Sequence, residues 1–163
     1  MTARPGASGH THASWPVIIL AVLTACSDPA PLPAPLFPVD YATYTEVRNC
    51  RPSLEHGPDN IRVLASPDGL TTYNSRTGPF ATGVILLKEQ FFSSDTSCTG
   101  PIKQWTVMEQ LAAGSSTDTL DWHWQRVTSG RETTMDDDVT CISCHAMCGQ
   151  PGGGGYLATC TDP

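Results

Sequence analysis

Val84-Ile85-Leu86-Leu87-Lys88-Glu89-Gln90-Phe91-Phe92 is the stretch on which the fold class turns. Its first half is apolar at every position, which marks a strand buried on both faces. The turn Gly78-Pro79-Phe80-Ala81-Thr82-Gly83 leads into it. Two later runs, Gln104-Trp105-Thr106-Val107-Met108-Glu109 and Asp121-Trp122-His123-Trp124-Gln125-Arg126-Val127, alternate with period two. On the second, Trp122, Trp124 and Arg126 share one face, while His123 and Gln125 share the other. Ile61-Arg62-Val63-Leu64 reads as an earlier strand, stopped by Pro67-Asp68-Gly69. Residues 40–48 read as a short helix with Asp40 as its N-cap. No internal repeat is visible. The expectation is an α+β domain, predominantly β: a small antiparallel sheet with short helices at its ends.

Composition narrows the function classes. The 163 residues suit one domain, and 9 Lys+Arg against 16 Asp+Glu give a net charge of -7. With its few basic residues scattered, the chain has no electrostatic footprint for nucleic acid. At 15% charged and 39% hydrophobic residues it is neither a disordered acidic tail nor a long helix. Seven Cys point to an oxidising compartment, a metal site or a covalently held cofactor.

The N-terminus supports export. Arg4 precedes an apolar run, Val17-Ile18-Ile19-Leu20-Ala21-Val22-Leu23, too short to span a bilayer and suited to the h-region of a signal. Leu23-Thr24-Ala25-Cys26 follows and resembles the lipobox of bacterial lipoproteins, in which Cys26 would become the lipid-bearing first residue. The expected organisation is a signal peptide over 1–25 and a Pro-rich tether over 26–39. The folded domain follows over 40–163, with its core at about 56–148. The expected location is the bacterial cell envelope, with the only membrane contact through the N-terminal lipid. Ser27 after the Cys favours the outer membrane, facing the periplasm, under enterobacterial sorting.

Cys141-Ile142-Ser143-Cys144-His145 carries the cofactor reading. C-x-x-C-H is the attachment signature of c-type haem: two thiols add across the vinyl groups and the adjacent His ligates the iron. Two intervening residues let one turn of chain span both vinyls. Three alternatives stand beside it. A thioredoxin-like motif needs a βαβ setting that is absent around residue 141. Zinc could use Cys141, Cys144, His145 and Cys148, although adjacent ligands at 144 and 145 suit a tetrahedron poorly. The third is a plain disulfide framework. Only 18 residues follow His145, and Met147 among them is too near to reach the opposite haem face. A sixth ligand must then come from upstream: His56, Met108, His123, Met135 or a Lys. An open sixth position suits small-molecule chemistry, and the sequence leans that way.

A sheet-rich exported chain with C-x-x-C-H near its end resembles the cytochrome P-460 family and its relatives, the beta-type cytochromes c-prime. Residues 78–89, Trp105-Thr106-Val107-Met108, Asp121-Trp122-His123-Trp124 and residues 141–145 carry the resemblance, in matching order over about 56–148. It implies one covalent haem c per chain and oxidation of hydroxylamine or nitric oxide at an open iron. It also implies a Lys bonded to a haem meso carbon in the hydroxylamine-oxidising members, and Lys88 is the matching position. Burial at the end of an apolar strand favours a neutral, nucleophilic amine there. Active members hold a distal carboxylate as proton acceptor; His123 and Gln125 fall near that region, and Glu132 is a further candidate. A Gln in place of the acid impairs proton removal.

Cys50, Cys98, Cys148 and Cys160 remain, an even number that suggests two disulfides. Of the three pairings, Cys50–Cys98 with Cys148–Cys160 is favoured. The alternatives to catalysis are capture of nitric oxide or another diatomic gas at a five-coordinate iron, and periplasmic electron transfer. Expected partners are a small nitrogenous substrate or gas and a soluble redox protein, and a homodimer stays open.

Overall fold

The computed structural model describes residues 2, 30–53, 56–149 and 155–160. Cys26 and the apolar run before it lie outside the described residues. Six strands follow one another in a single antiparallel sheet: β1 (Thr45–Ser53), β2 (Asp59–Ala65), β3 (Ile85–Phe91), β4 (Gln104–Gln110), β5 (Trp122–Thr128) and β6 (Thr133–Asp136). Strands adjacent in sequence are adjacent in the sheet. Two short helices complete the described elements, α1 (Leu70–Ser75) and α2 (Val139–His145). The protein is thus predominantly β.

The continuous apolar run becomes the central strand β3, and both of its faces are covered. Val84 and Leu86 join Ala65, Tyr73, Phe80, Met108, Trp122 and Trp124 on the face that carries the two helices. Ile85 and Leu87 join Phe37, Leu64, Trp105, Val107 and Val127 on the other. Since successive residues alternate between faces, Lys88 follows Leu86 onto the helix face, opposite Val63 and Thr106. Glu89 falls on the second face, 1% exposed, where it pairs with Arg62 and accepts a 2.8 Å hydrogen bond from Tyr41 Oη. Burial, and then the carboxylate beside it, push the Tyr41 phenol up to about 12. The turn at Pro67-Asp68-Gly69 tightens into a single 3-10 turn that passes directly into α1. A Cβ at Gly69 would lie 2.5 Å from Val84 Cγ1, so only glycine lets α1 close onto β3.

Two sequence expectations need correction. The helix over 40–48 does not form. Asp40 instead accepts the Ala42 N–H within a turn, and β1 begins at Thr45. The segment is rich in β-branched and aromatic residues, and pairing with β2 overrides the local capping signal. The acidic run at 136–138 joins two elements: Asp136 ends β6, and Asp138 caps α2 by accepting the Thr140 N–H at 2.8 Å.

The tether also ends earlier than position 39. The larger compact unit begins at Pro31, and Phe37 is 2% exposed beneath the second face. Gln125 Oε1 accepts the Leu36 N–H at 2.9 Å, Gln125 Nε2 donates to Ala34 O, and the Arg131 guanidinium lies 4.2 Å from the Phe37 ring centre. A Pro-rich spacer that supplies one large apolar side chain to an otherwise open sheet face folds onto it.

Phe37→Ala is therefore expected to lower the unfolding free energy by about 3 kcal/mol or more, as large-to-small core changes do. Urea titration of the mature chain measures this, and an unchanged midpoint would return these residues to the tether.

Candidate functional site

The site grows from the short helix α2. Asp138 fixes its start, and one helical turn then sets Cys141 and Cys144 three positions apart on neighbouring ground. His145 ends the helix, buried, with its ring centre 4.6 Å from that of Trp124 on β5. Below lies the helix face of the sheet, to which alternation brings Val63, Leu86, Lys88, Thr106, Met108, Trp124 and Arg126. These residues, with His56 and α2, bound an open-mouthed cavity.

The state of His145 follows from its partner. Nδ1 lies 2.5 Å from the carbonyl oxygen of Ala158. A carbonyl only accepts, so Nδ1 carries the proton and Nε2 keeps its lone pair. Burial, with a smaller push from the Lys88 charge, holds the imidazole down at about 4; the Ala158 bond acts the other way. The ring is therefore neutral at ordinary pH. Ala158 is placed by the C-terminal segment, which the Cys148–Cys160 disulfide ties to the residues after α2. Gly155 has φ +75°, and a Cβ there would lie 2.8 Å from Cys160 Cα, so the close return requires glycine. Leu157, Ala158 and Cys160 also hold positive φ, a cost that this cross-link supports.

Lys88 and His56 meet in the same cavity, Nζ to Nε2 at 2.6 Å. Burial first, and then the Lys88 charge, push the His56 imidazole down to about 3. Its ring centre lies 6.4 Å from that of His145. Arg126 lines the cavity with its Nε buried and without a hydrogen-bond partner.

Cysteine chemistry is divided cleanly. Cys50 is bonded to Cys98 and Cys148 to Cys160, whereas Cys141 and Cys144 take part in no disulfide. Burial raises the Cys141 thiol above its ordinary value, and Cys144 is exposed. With Cys148 in a disulfide, the four-residue zinc set is unavailable. Among the described residues no three His, Cys, Asp or Glu converge as a metal-ion cage. What α2 presents to the cavity is instead two thiols outside any disulfide and one imidazole with a free Nε2.

The distal candidates fall elsewhere. His123 Nε2 lies 2.8 Å from Asp136 Oδ1 on the face opposite His145. The Gln125 side chain points to that same face, engaged with Leu36, Ala34 and Asp136. Glu132 is exposed in the β5–β6 turn. The cause is strand parity: Trp124 takes the cavity side, so its neighbours at 123 and 125 must take the other. Of the sixth-ligand candidates, His56, Met108 and Lys88 line the cavity. The Ala158 carbonyl escaped sequence reading, since a backbone partner carries no residue-type signal; the Cys148 to Cys160 spacing was its only trace.

No protein-family model matches the chain, and no curated protein matches it.

In protein made without haem attachment, iodoacetamide under native, non-reducing conditions is expected to modify Cys144 first and Cys141 more slowly. Cys50, Cys98, Cys148 and Cys160 should react only after reduction. Peptide mapping reads the order, and native alkylation at Cys148 would break the account of the tail.

Proposed function

We propose that the chain is an exported mono-haem c-type cytochrome of the P-460 type, oxidising hydroxylamine or nitric oxide. The observation that carries this reading is the shared cavity. The two thiols that take part in no disulfide, an imidazole with an unprotonated Nε2, and Lys88 all border it. Haem c, when bound, supplies one-electron chemistry and an axial position for a small nitrogen ligand. Cys141 and Cys144 would hold it through thioether bonds, and His145 Nε2 would ligate the iron. Arg126, with its unsatisfied Nε, suits a propionate carboxylate.

The residues around the cavity set the remaining chemistry. Lys88 lines the same cavity as the two thiols and His145, and it matches the cross-linking Lys implied by the resemblance. With the side chains of His123, Gln125 and Glu132 directed elsewhere, the polar group beside Lys88 in the cavity is the His56 imidazole. Electrons taken from the substrate pass to an external acceptor, for which a soluble redox protein is the natural class. Cys26 anchors the chain by lipid to the cell envelope, at the outer membrane.

Lys88→Leu tests the reading. The wild-type reduced protein is expected to show a displaced Soret band. The variant should keep thioether-bound haem yet lose that displacement and hydroxylamine oxidation. Arginine should not rescue, because its guanidinium stays protonated. Normal tryptic cleavage after Lys88, with no peptide linked to haem, would remove the cross-link and leave a gas-binding protein. For the anchor, wild type should enter the detergent phase on partitioning and Cys26→Ala the aqueous phase; equal aqueous recovery of both would count against lipid.

A further inference from the structure

We propose that the proline-rich segment is a strap that holds the domain at the lipid surface, with the face opposite the cavity turned toward it. This rests on the lipid anchor at Cys26 proposed above and on nothing about haem. The tether stops early. Gln125 Nε2 donates to Ala34 O and the Leu36 N–H donates to Gln125 Oε1, so the chain is fixed to the sheet from residue 34. Arg131 then donates from Nη2 to Phe37 O at 2.6 Å and from Nη1 to Pro38 O at 3.2 Å. Its guanidinium also covers the buried Phe37 ring. One side chain of β5 and one of the β5–β6 turn thus clamp the segment.

Length decides the consequence. An extended chain advances at most about 3.6 Å per residue. A spacer free through residue 39 would let the domain stand roughly 50 Å from Cys26 at full stretch. The clamp at Ala34 cuts that reach to roughly 29 Å.

Charge and polarity mark the same segment. Residues 29–39 carry no ionisable side chain, in a chain of net charge -7. Residues 30–34 are exposed, Leu32 at 47%. Anionic headgroups repel an acidic body, and an uncharged strap beside the acyl anchor is the part they repel least. An exposed apolar side chain so close to the anchor gains by entering the boundary between headgroups and acyl chains. The cavity lies across the sheet from the strap, on the face that carries Val84 and Leu86. A soluble partner then reaches it from the aqueous side.

Neutron reflectometry of the lipidated holoprotein on a supported bilayer of phosphatidylethanolamine and phosphatidylglycerol provides the test. Protein density is expected to begin at the headgroups, with no resolved water layer between. Twelve Gly/Ser residues inserted between Asp28 and Pro29 leave the clamp intact and should open a water layer of roughly 20 Å. Leu32→Glu should also open one, whereas Val139→Glu, on exposed ground at the start of α2, should not. A water layer already present in the wild type, or an insertion that changes nothing, would overturn the strap. Equal profiles for the two point variants would overturn the choice of face. Loss of every form to the wash, with no acyl mass on Cys26, would instead overturn the anchor reading beneath it.

Discussion

Burial of β3 on both faces is the constraint from which the rest of the molecule follows. A strand that is apolar at every position of its first half must be covered twice, and the chain meets that demand with different material on each side. On one face the end of the Pro-rich segment lays Phe37 against Leu87 and Trp105. On the other, α1 and α2 leave a cavity instead of a filled core. Lys88, where the apolar run ends, therefore enters that cavity, while its neighbour Glu89 is sent to the scaffold side and neutralised by Arg62. One residue of register would exchange the two.

The second requirement is a fixed imidazole. Helix α2 is only seven residues long and has little stability of its own. Asp138 holds one end, and the tail holds the other through the Ala158 carbonyl and the Cys148–Cys160 bond. The acidic run also binds the helix to the sheet, because Asp137 accepts the Trp124 N–H and Asp136 engages His123. What reads in the sequence as a charged loop is the joint between scaffold and site.

Much of this was legible beforehand because it depends on pattern. The two-faced run marked β3, alternation set Trp122, Trp124 and Arg126 on one face of β5, and an even remainder of Cys pointed to two bridges. The failures have a common form. Asp40 resembles the N-cap of a helix start, but strand pairing with β2 decides the segment that follows. Phe37 lies in a proline-rich spacer, and nothing local says that a sheet face awaits it. His123 and Gln125 were sought near the distal side by resemblance, although the parity of their own strand, visible beside Trp124, already sends them away. His56 was one of several candidates, and only the fold sets it beside Lys88 in the cavity.

The central claim, proposed above, is that Cys141 and Cys144, left out of both disulfides, carry haem. It is tested most directly by the intact mass of the mature protein, made in cells able to attach haem and extracted with acid–acetone. The account predicts that the wild type keeps one haem per chain through extraction and that Cys141→Ser/Cys144→Ser loses it. Complete release of haem from the wild type, with both thiols then open to alkylation, would contradict it.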